Sequence, residues 1–262
     1  VEVAAIHSVA GLTRPDVTRP PYRAPHHSAS SAALLGAAQG HRVRPGAVTL
    51  AHRGVLFLDE APEFSRPSLE GLRQPLESGQ VSLHRSGWAG LLPAAFQLVL
   101  AANPCPCGQR TGNGAGCSCP VPAVRRYASR LSGPLVDRID IRMWLTQPSG
   151  AELAAQQGGD DSATVRARVV QARARASHRF AGLPWATNAA IPAGRLRRDW
   201  RPSSGGADLL ADLERRAVNL RGPDRVLRMA WTVADLAGRD RPGRDDVAVA
   251  LGLRGAGLGW PA

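Results

Sequence analysis

Lysine is absent from this 262-residue sequence, so all 33 basic residues are arginine. The absence excludes a Gly-x-x-x-x-Gly-Lys-Ser/Thr phosphate-binding loop, because the lysine of that loop contacts the phosphates. No apolar run is long enough to span a membrane, and the N-terminal residues lack the basic start and apolar stretch of a secretory signal. We therefore expect a cytoplasmic protein without membrane contact. Aromatic residues make up only 5% of the sequence, which disfavours stacking platforms for nucleic-acid bases.

The excess of arginine gives a formal net charge of +12. A positive field of this size favours polyanions such as nucleic acid or nucleotide phosphates, contacted through arginine. Codon usage in a GC-rich genome is an alternative origin of the arginine excess. The sequence begins at Val1 and its two methionines, Met143 and Met229, are internal, which predicts a segment of a longer reading frame.

Two apolar segments end at polar residues. Val55–Leu58 runs directly into Asp59 and Glu60, and Phe96–Ala101 is followed by Asn103. Continuous apolar runs of this length are typical of parallel strands buried on both faces. Ligands bind outside the carboxyl ends of such strands. We therefore expect the three polar side chains to converge on one edge of a sheet.

These polar residues suit nucleotide hydrolysis. An aspartate at a strand end, such as Asp59, can hold Mg²⁺, and an adjacent carboxylate, such as Glu60, can activate the attacking water. The amide of Asn103 can orient that water. The alternative is that Asp59 only caps a short helix near Pro62.

The remaining patterns predict an α/β core over residues 1–147 and an all-helical domain over residues 148–262. In the core, helices are predicted at Val1–Val9, Ser65–Glu77 and Val124–Leu131. Further core strands are predicted at Val48–Ala51, Val81–Arg85 and Ile139–Leu145. The helical domain has predicted helices at Ser162–Arg179, Ala207–Leu220, Asp224–Ala237 and Asp245–Leu253.

Several blocks of sequence resemble the magnesium-chelatase-like AAA+ ATPases, and within them the YifB/ComM branch. The blocks, in chain order, are RPPYRAPHHSASSAALLG (Arg19–Gly36), RPGAVTLAHRGVLFLDEAPEF (Arg44–Phe64), LRQPLESGQVSLHR (Leu72–Arg85), LAANPCPCG (Leu100–Gly108), LSGPLVDRIDI (Leu131–Ile141) and RGPDRVLRMAWTVADLAG (Arg221–Gly238). The resemblance covers nearly the whole chain. It implies an α/β fold: a partial AAA+ P-loop NTPase core, with a parallel sheet and flanking helices, followed by a helical lid domain.

The resemblance implies a role for each matching residue. Asp59 and Glu60 match the Walker B pair, which binds magnesium and activates water, and Asn103 matches sensor 1. Arg138 matches the arginine finger that a neighbouring subunit presents to the γ-phosphate of ATP. Arg221 matches the sensor 2 arginine of the lid.

Alternatives and one departure accompany these arginine assignments. Arg225 and Arg228 are the substitutes for sensor 2, and without the resemblance each arginine is interpreted as part of a solvated face or of a surface ion pair. The departure is the missing Walker A loop, which precedes the equivalent of Val1 in the family. The sequence therefore predicts a partial member that is inactive in hydrolysis by itself.

The resemblance further implies a ring, a homo-hexamer in the full-length form, that processes DNA in branch migration, recombination or competence. His84 and Arg85, on a predicted hairpin, could face the pore of such a ring. One alternative is a non-enzymatic DNA-binding or regulatory fragment that uses the arginines of Val165–Arg179. Another is a magnesium-chelatase motor subunit that acts with partners on a porphyrin.

All the cysteines lie in one loop over residues 104–120, in two C-x-C pairs: Cys105, Cys107, Cys117 and Cys119. Four thiolates so close in sequence favour a tetrahedral structural metal, most plausibly zinc, although C-x-C spacing is tighter than usual. Two disulfides or four free thiols are the alternatives. His26 and His27 have no other metal-binding residues near them in sequence, and we interpret them as structural.

Overall fold

The computed structural model describes residues 1–12, 19–39, 42–85, 88–110, 114, 116–145, 150, 159–217 and 221–255. The chain forms two compact units, one containing Val1–Ile139 and the other Asp140–Gly259. The boundary predicted at residue 147 lies outside the described residues.

The first unit combines short helices with three small sheets. Its described helices are α1 (Glu2–Val9), α2 (Ser31–Leu35), α3 (Ala47–Leu50), α4 (Arg66–Gly71), α5 (Arg73–Ser78), α6 (Val121–Ala128) and α7 (Gly133–Val136). Its described strands are β1 (Tyr22–Arg23), β2 (Gly36–Gln39), β3 (Arg42–Pro45), β4 (Val55–Leu58), β5 (Gln80–Arg85), β6 (Trp88–Pro93) and β7 (Gln97–Leu100).

The central sheet is parallel, in the order β1-β4-β7. Tyr22 pairs in register with Val55, and Leu58 pairs with Leu100. All three strands therefore end at the same edge of the sheet. The other strands form two antiparallel hairpins, β2–β3 and β5–β6. The parallel sheet with flanking helices confirms the predicted fold class.

One face of the central sheet packs on the core of this unit. Leu56 and Leu58 of β4 are fully buried and contact a cluster that includes Leu34, Leu69 and Leu135. Serine caps fix where several surrounding helices begin, since a cap hydroxyl accepts a hydrogen bond from an N–H of the first turn. These caps are Ser30 of α2, Ser65 of α4 and Ser132 of α7.

Two predicted strands are wrong. Val48–Ala51 was expected to be extended, but this segment forms α3, because Val48 and Ala51 become fully buried when the helix packs against α2. Ile139–Leu145 forms no strand, and its alternating apolar residues Ile141, Met143 and Leu145 stay 47%, 67% and 86% exposed. Alternation predicts a strand only where a neighbouring strand and a core are available.

The second unit contains helices and no strand in its described part, as predicted. Its helices are α8 (Ser162–Arg179), α9 (Ala193–Asp199), α10 (Ser204–Arg216), α11 (Arg221–Leu236) and α12 (Arg244–Leu253). Two apolar clusters hold them together, one around Leu196, Leu210 and Trp231, the other around Val226 and Val247. In the described ranges of both units, no helix is long and apolar enough to cross a membrane.

Candidate functional site

The carboxyl ends of the three parallel strands carry the polar residues singled out in the sequence. Asp59 and Glu60 follow β4 directly, and Asn103 lies three residues beyond β7. Because Leu58 and Leu100 are in register, these residues emerge from adjacent strands at the same edge. All three side chains belong to solvent-exposed residues and are accessible to a ligand.

The turn that contains the carboxylate pair has a fixed backbone. Glu60 has φ 49° and ψ 43°, a left-handed conformation that is uncommon for a residue other than glycine. Its N–H donates to Asp59 Oδ1 at 2.9 Å, and the next N–H, of Ala61, donates to the carbonyl of Ala101 at 2.9 Å. The following 3-10 helix, Ala61–Glu63, has no side-chain cap, so Asp59 does not have the capping role that was its alternative.

His27 also lies at this edge, and sequence reasoning had interpreted it as structural. It follows β1 by four residues, and its Nδ1 lies 2.9 Å from Oε2 of Glu60. No local motif marks this contact. Only the parallel pairing of β1 with β4 brings the two side chains together.

Tyr127 of α6 is a second residue that sequence reasoning missed. Its side chain is buried, and the backbone N–H of Asn103 donates a hydrogen bond to its oxygen. Burial raises the pKa of Tyr127, and the negative charges of Glu63 and Glu60 raise it further. The phenol therefore stays neutral and anchors the backbone of Asn103 to α6.

The four cysteines lie near the two ends of the loop over residues 104–120 and come together in space. Their sulfur atoms all lie within 4.8 Å of one another. Cys105 Sγ lies 3.3 Å from that of Cys107 and 3.6 Å from that of Cys117, which lies 3.8 Å from Cys107 Sγ. A tetrahedral ion with metal–sulfur bonds of about 2.3 Å has sulfur–sulfur edges of about 3.8 Å. None of the four cysteines forms a disulfide, and the cluster has dimensions that can hold a metal.

Hydrogen bonds favour the thiolate form of Cys107 and disfavour that of Cys119. The backbone N–H of Gln109, followed by the thiols around it, lowers the pKa of Cys107 to about 6. The thiol of Cys119 donates to Cys107, which raises the pKa of Cys119 to about 12. A thiolate is the form of cysteine that binds a metal, and the hydrogen bonds to Cys107 favour that form.

Arg138 lies in the first unit with its side chain only 9% exposed. Its guanidinium donates to the carboxylate of Glu77 and to the carbonyl of Pro134, in the same unit. An arginine finger must reach a neighbouring subunit. For Arg138 to act in that way, its ion pair with Glu77 has to open.

The three arginines considered for sensor 2 lie on α11. Arg221 is exposed at the first residue of the helix. Arg225 pairs with Asp140 at 2.8 Å, and Arg228 donates to the carbonyl of Ile191 at 2.8 Å. Burial lowers the pKa of Arg228. The latter two arginines thus have structural partners inside the helical unit.

Several arginines of the basic helix α8 contact other residues of the same unit. Arg179 donates to both carboxylate oxygens of Asp235, and Arg175 donates to the carbonyl of the same residue. Arg168 pairs with Asp160. Part of the basic segment therefore serves helix packing and local ion pairs.

The predicted hairpin at His84 and Arg85 is present as β5–β6, but the side chains of those two residues lie outside the described part of the chain.

Two family profiles match most of the chain. The first, magnesium chelatase, subunit ChlI, matches residues 1–153, and the second, magnesium chelatase, subunit ChlI C-terminal, matches residues 159–254. The first match contains the strand ends and the cysteine loop, and the second contains the helical unit.

Relatives with a similar sequence occur in several bacteria. An uncharacterized protein of Mycobacterium tuberculosis is 49% identical over 261 residues, which is 98% of this chain and 51% of the relative. Competence protein ComM of Haemophilus influenzae and uncharacterized protein YifB of Escherichia coli are 39% and 40% identical over 236 residues, or 89% of this chain and 45% of each relative. The chain thus spans about half the length of these curated relatives. The matches confirm the predicted resemblance: the chain belongs to the magnesium chelatase subunit ChlI family and is similar to its ComM and YifB members.

Proposed function

We propose that the carboxyl edge of the central sheet is the magnesium–nucleotide site of an ATP-hydrolysing protein. The observation that carries the proposal is the delivery of Asp59, Glu60 and Asn103 to one edge by two adjacent parallel strands. Carboxylate oxygens are the ligands that Mg²⁺ prefers, and these carboxylates are exposed. The residues present therefore suit the magnesium ion of a magnesium–nucleotide ligand.

The role of each side chain follows from its chemistry. Asp59 would hold the magnesium ion, which neutralises charge on the phosphates when bound. Glu60 would accept the proton of the attacking water, and the amide of Asn103 would orient that water. The phosphates themselves need backbone amides and a lysine, and this chain has no lysine. A phosphate-binding loop has to come from outside the 262 residues.

The open edge of the sheet is compatible with such an addition. In the described part of the chain, β7 pairs with β4 and with no other strand. A further parallel strand can therefore add beside β7 and bring a phosphate-binding loop to the same carboxyl edge. The curated relatives are about twice as long as this chain, which leaves room for that segment.

We further propose that the full-length protein works as a ring, a hexamer, on DNA. The net charge of +12 supports a polyanionic partner, and one relative is a competence protein. In such a ring Arg138 would leave Glu77 and contact the γ-phosphate bound to the neighbouring subunit, and Arg221 would contact the phosphates from the lid. The role of Arg138 requires an oligomer and that of Arg221 requires closure of the lid. Both are therefore tested only after ATP turnover has been established.

Replacing Glu60 with glutamine tests the nucleotide site. We expect the 262-residue chain to show no ATP turnover, and a version extended ahead of Val1 with a relative's phosphate-loop segment to be active. In this extended version, Glu60→Gln is expected to lower turnover at least about 100-fold, because a general base is lost. Turnover is measured as phosphate release with and without branched DNA.

Glu63→Gln is the matched control, because Glu63 is an exposed carboxylate of the same turn that pairs with Arg130 at 2.9 Å. This control should keep the activity of the extended version. Equal turnover in the Glu60→Gln and Glu63→Gln proteins would show that Glu60 is not the base.

We also propose that the cysteine cluster binds one zinc ion as a structural site. The sulfur–sulfur distances of 3.3 to 3.8 Å and the lowered pKa of Cys107 support it. The ion would connect the start of the loop, which follows Asn103, to its end, where α6 begins. Zinc carries no redox chemistry and in a four-cysteine site keeps no open position, so its contribution is to stability.

Metal analysis of the purified chain tests the zinc proposal. We expect close to one zinc ion per chain, and cobalt loading should give the absorption of a tetrahedral thiolate site. Cys107→Ser and Cys119→Ser proteins are expected to lose the metal, whereas Ser118→Ala, an exposed neighbour in the same loop, retains it. Metal-free protein with four rapidly alkylated thiols would exclude the site.

A further inference from the structure

The contact between His27 and Glu60 is built by sheet topology. Nδ1 of His27 lies 2.9 Å from Oε2 of Glu60, although 33 positions separate the two residues in sequence. Arg23 and Leu56 are register partners, and each contact residue lies four positions beyond its partner strand residue. His27 is about one-third exposed and Glu60 about half exposed, so the pair borders solvent at the strand ends.

The backbone around Glu60 leaves only its side chain free to move. Its N–H is held by Asp59, and its carbonyl accepts from the N–H of Glu63 at 2.7 Å. The N–H of Ala61 is held by β7 through Ala101. With the main chain fixed at both sides, the direction of the carboxylate depends on the side-chain torsions. The described structure provides one partner for that carboxylate, which is His27.

Neighbouring side chains hold the imidazole of His27 in place. Its ring centroid lies 4.1 Å from that of His26, with an interplanar angle of 35°. The ring of His26 is in turn fixed by Ser28, whose hydroxyl lies 2.8 Å from Nδ1 of His26. An ionised carboxylate can only accept hydrogen bonds, so His27 donates through Nδ1–H. The tilted contact with the ring of His26 supports the direction of this donor.

We propose that His27 is the positioning residue for Glu60. Its Nδ1–H binds one oxygen of the carboxylate, which leaves the second oxygen directed for contact with water. This inference rests on the proposed function, in which Glu60 activates water. His27 has no contact with nucleotide in this assignment and acts through Glu60 alone. Its loss should therefore affect the chemical step and leave nucleotide binding nearly unchanged.

Three substitutions of His27 in the extended version separate positioning from mere packing. In asparagine, the amide nitrogen takes the place of Nδ1, whereas in glutamine it lies one bond farther out. We expect His27→Ala and His27→Gln to lower kcat roughly tenfold with KM for ATP changed less than about twofold. His27→Asn should recover most of kcat. His178→Ala, at an exposed position of α8, is the control for a histidine substitution.

A double-mutant cycle tests whether His27 acts through Glu60. In the Glu60→Gln background, adding His27→Ala is expected to cause no further loss, because coupled residues are not additive. Additive losses, or a rise in KM without a change in kcat, would overturn the assignment. If Glu60→Gln alone leaves turnover unchanged, the proposed function is wrong. The contact between His27 and Glu60 is then tested separately, through the protonation state of His27.

That readout uses the 262-residue chain and needs no activity. Nitrogen-15 NMR near pH 8, where histidine is ordinarily neutral, reports which ring nitrogen carries the proton. We expect a proton on Nδ1 of His27 in the unmodified chain and a shift to the Nε2–H form in Glu60→Ala. An unprotonated Nδ1 in the unmodified chain would be incompatible with donation to Glu60 and would overturn the inference.

Discussion

Replacing Asp235 with alanine is expected to destabilise the helical unit by about 3–5 kcal/mol, because it leaves a largely buried arginine without its carboxylate partner. Asp235 lies on α11 and is 2% exposed. Arg179 of α8 donates to its two carboxylate oxygens, each at 2.6 Å, and Asn188 donates to one of them at 2.9 Å. The same guanidinium lies 4.5 Å from the ring centroid of Trp231.

This set of contacts joins α8 to α11 and to the segment between them, so its loss should loosen the packing of three elements at once. Urea unfolding followed by tryptophan fluorescence and circular dichroism measures the effect. Asp212→Ala is the control, because Asp212 forms exposed pairs with Arg215 and Arg216 on α10, and such pairs contribute at most about 1 kcal/mol. An Asp235→Ala protein as stable as Asp212→Ala would show that the buried contact is dispensable.

Replacing Gly54 with alanine is expected to separate β1 from β4 and to destabilise the first unit by about 3 kcal/mol, the upper range for overpacking. A Cβ atom at Gly54 would lie 1.9 Å from the carbonyl oxygen of Pro21. That oxygen accepts the N–H of Val55 at 2.8 Å, so the backbone itself would have to move. The displacement reaches the strand end that carries His27 and should break its contact with Glu60.

Gly133→Ala is the matched control, because nothing lies within 4 Å of a Cβ atom at the first residue of α7. This substitution should be neutral or stabilise by a few tenths of a kcal/mol, since alanine restricts the unfolded chain. Unfolding curves for the two variants and the protonation state of His27 measure the outcome. Indistinguishable curves would mean that the sheet tolerates a wider spacing at Pro21.

The parts of the fold that the sequence predicts are those with a strong local signal. β4 and β7 are apolar runs that stop at polar residues, and α8 and α11 have caps or an apolar stripe of helical period. β1 has neither, because it contains only Tyr22 and Arg23 between prolines. It becomes a strand through its pairing with β4, which is a tertiary effect.

The candidate site likewise contains residues that local sequence predicts and residues that only the folded structure brings in. The strand-end rule predicts that Asp59, Glu60 and Asn103 meet, and cysteine spacing predicts a cluster. His27 and Tyr127 reach the site from elements whose neighbours cannot be read from local sequence. The pairing of Arg138 with Glu77 is likewise set by the packing of α7 near α5. Such contacts depend on sheet order and helix placement, and these are properties of the whole unit.

Among the described residues, the outer edge of β7 pairs with no strand, and this has a consequence for how the purified chain behaves in solution. A strand edge with free N–H and C=O groups is a template for pairing with another chain. Val99 of this strand is 41% exposed, and Tyr22 at the opposite edge is 61% exposed. Concentrated preparations of the chain alone should therefore form oligomers by edge-to-edge strand pairing, and their solubility should depend on protein concentration.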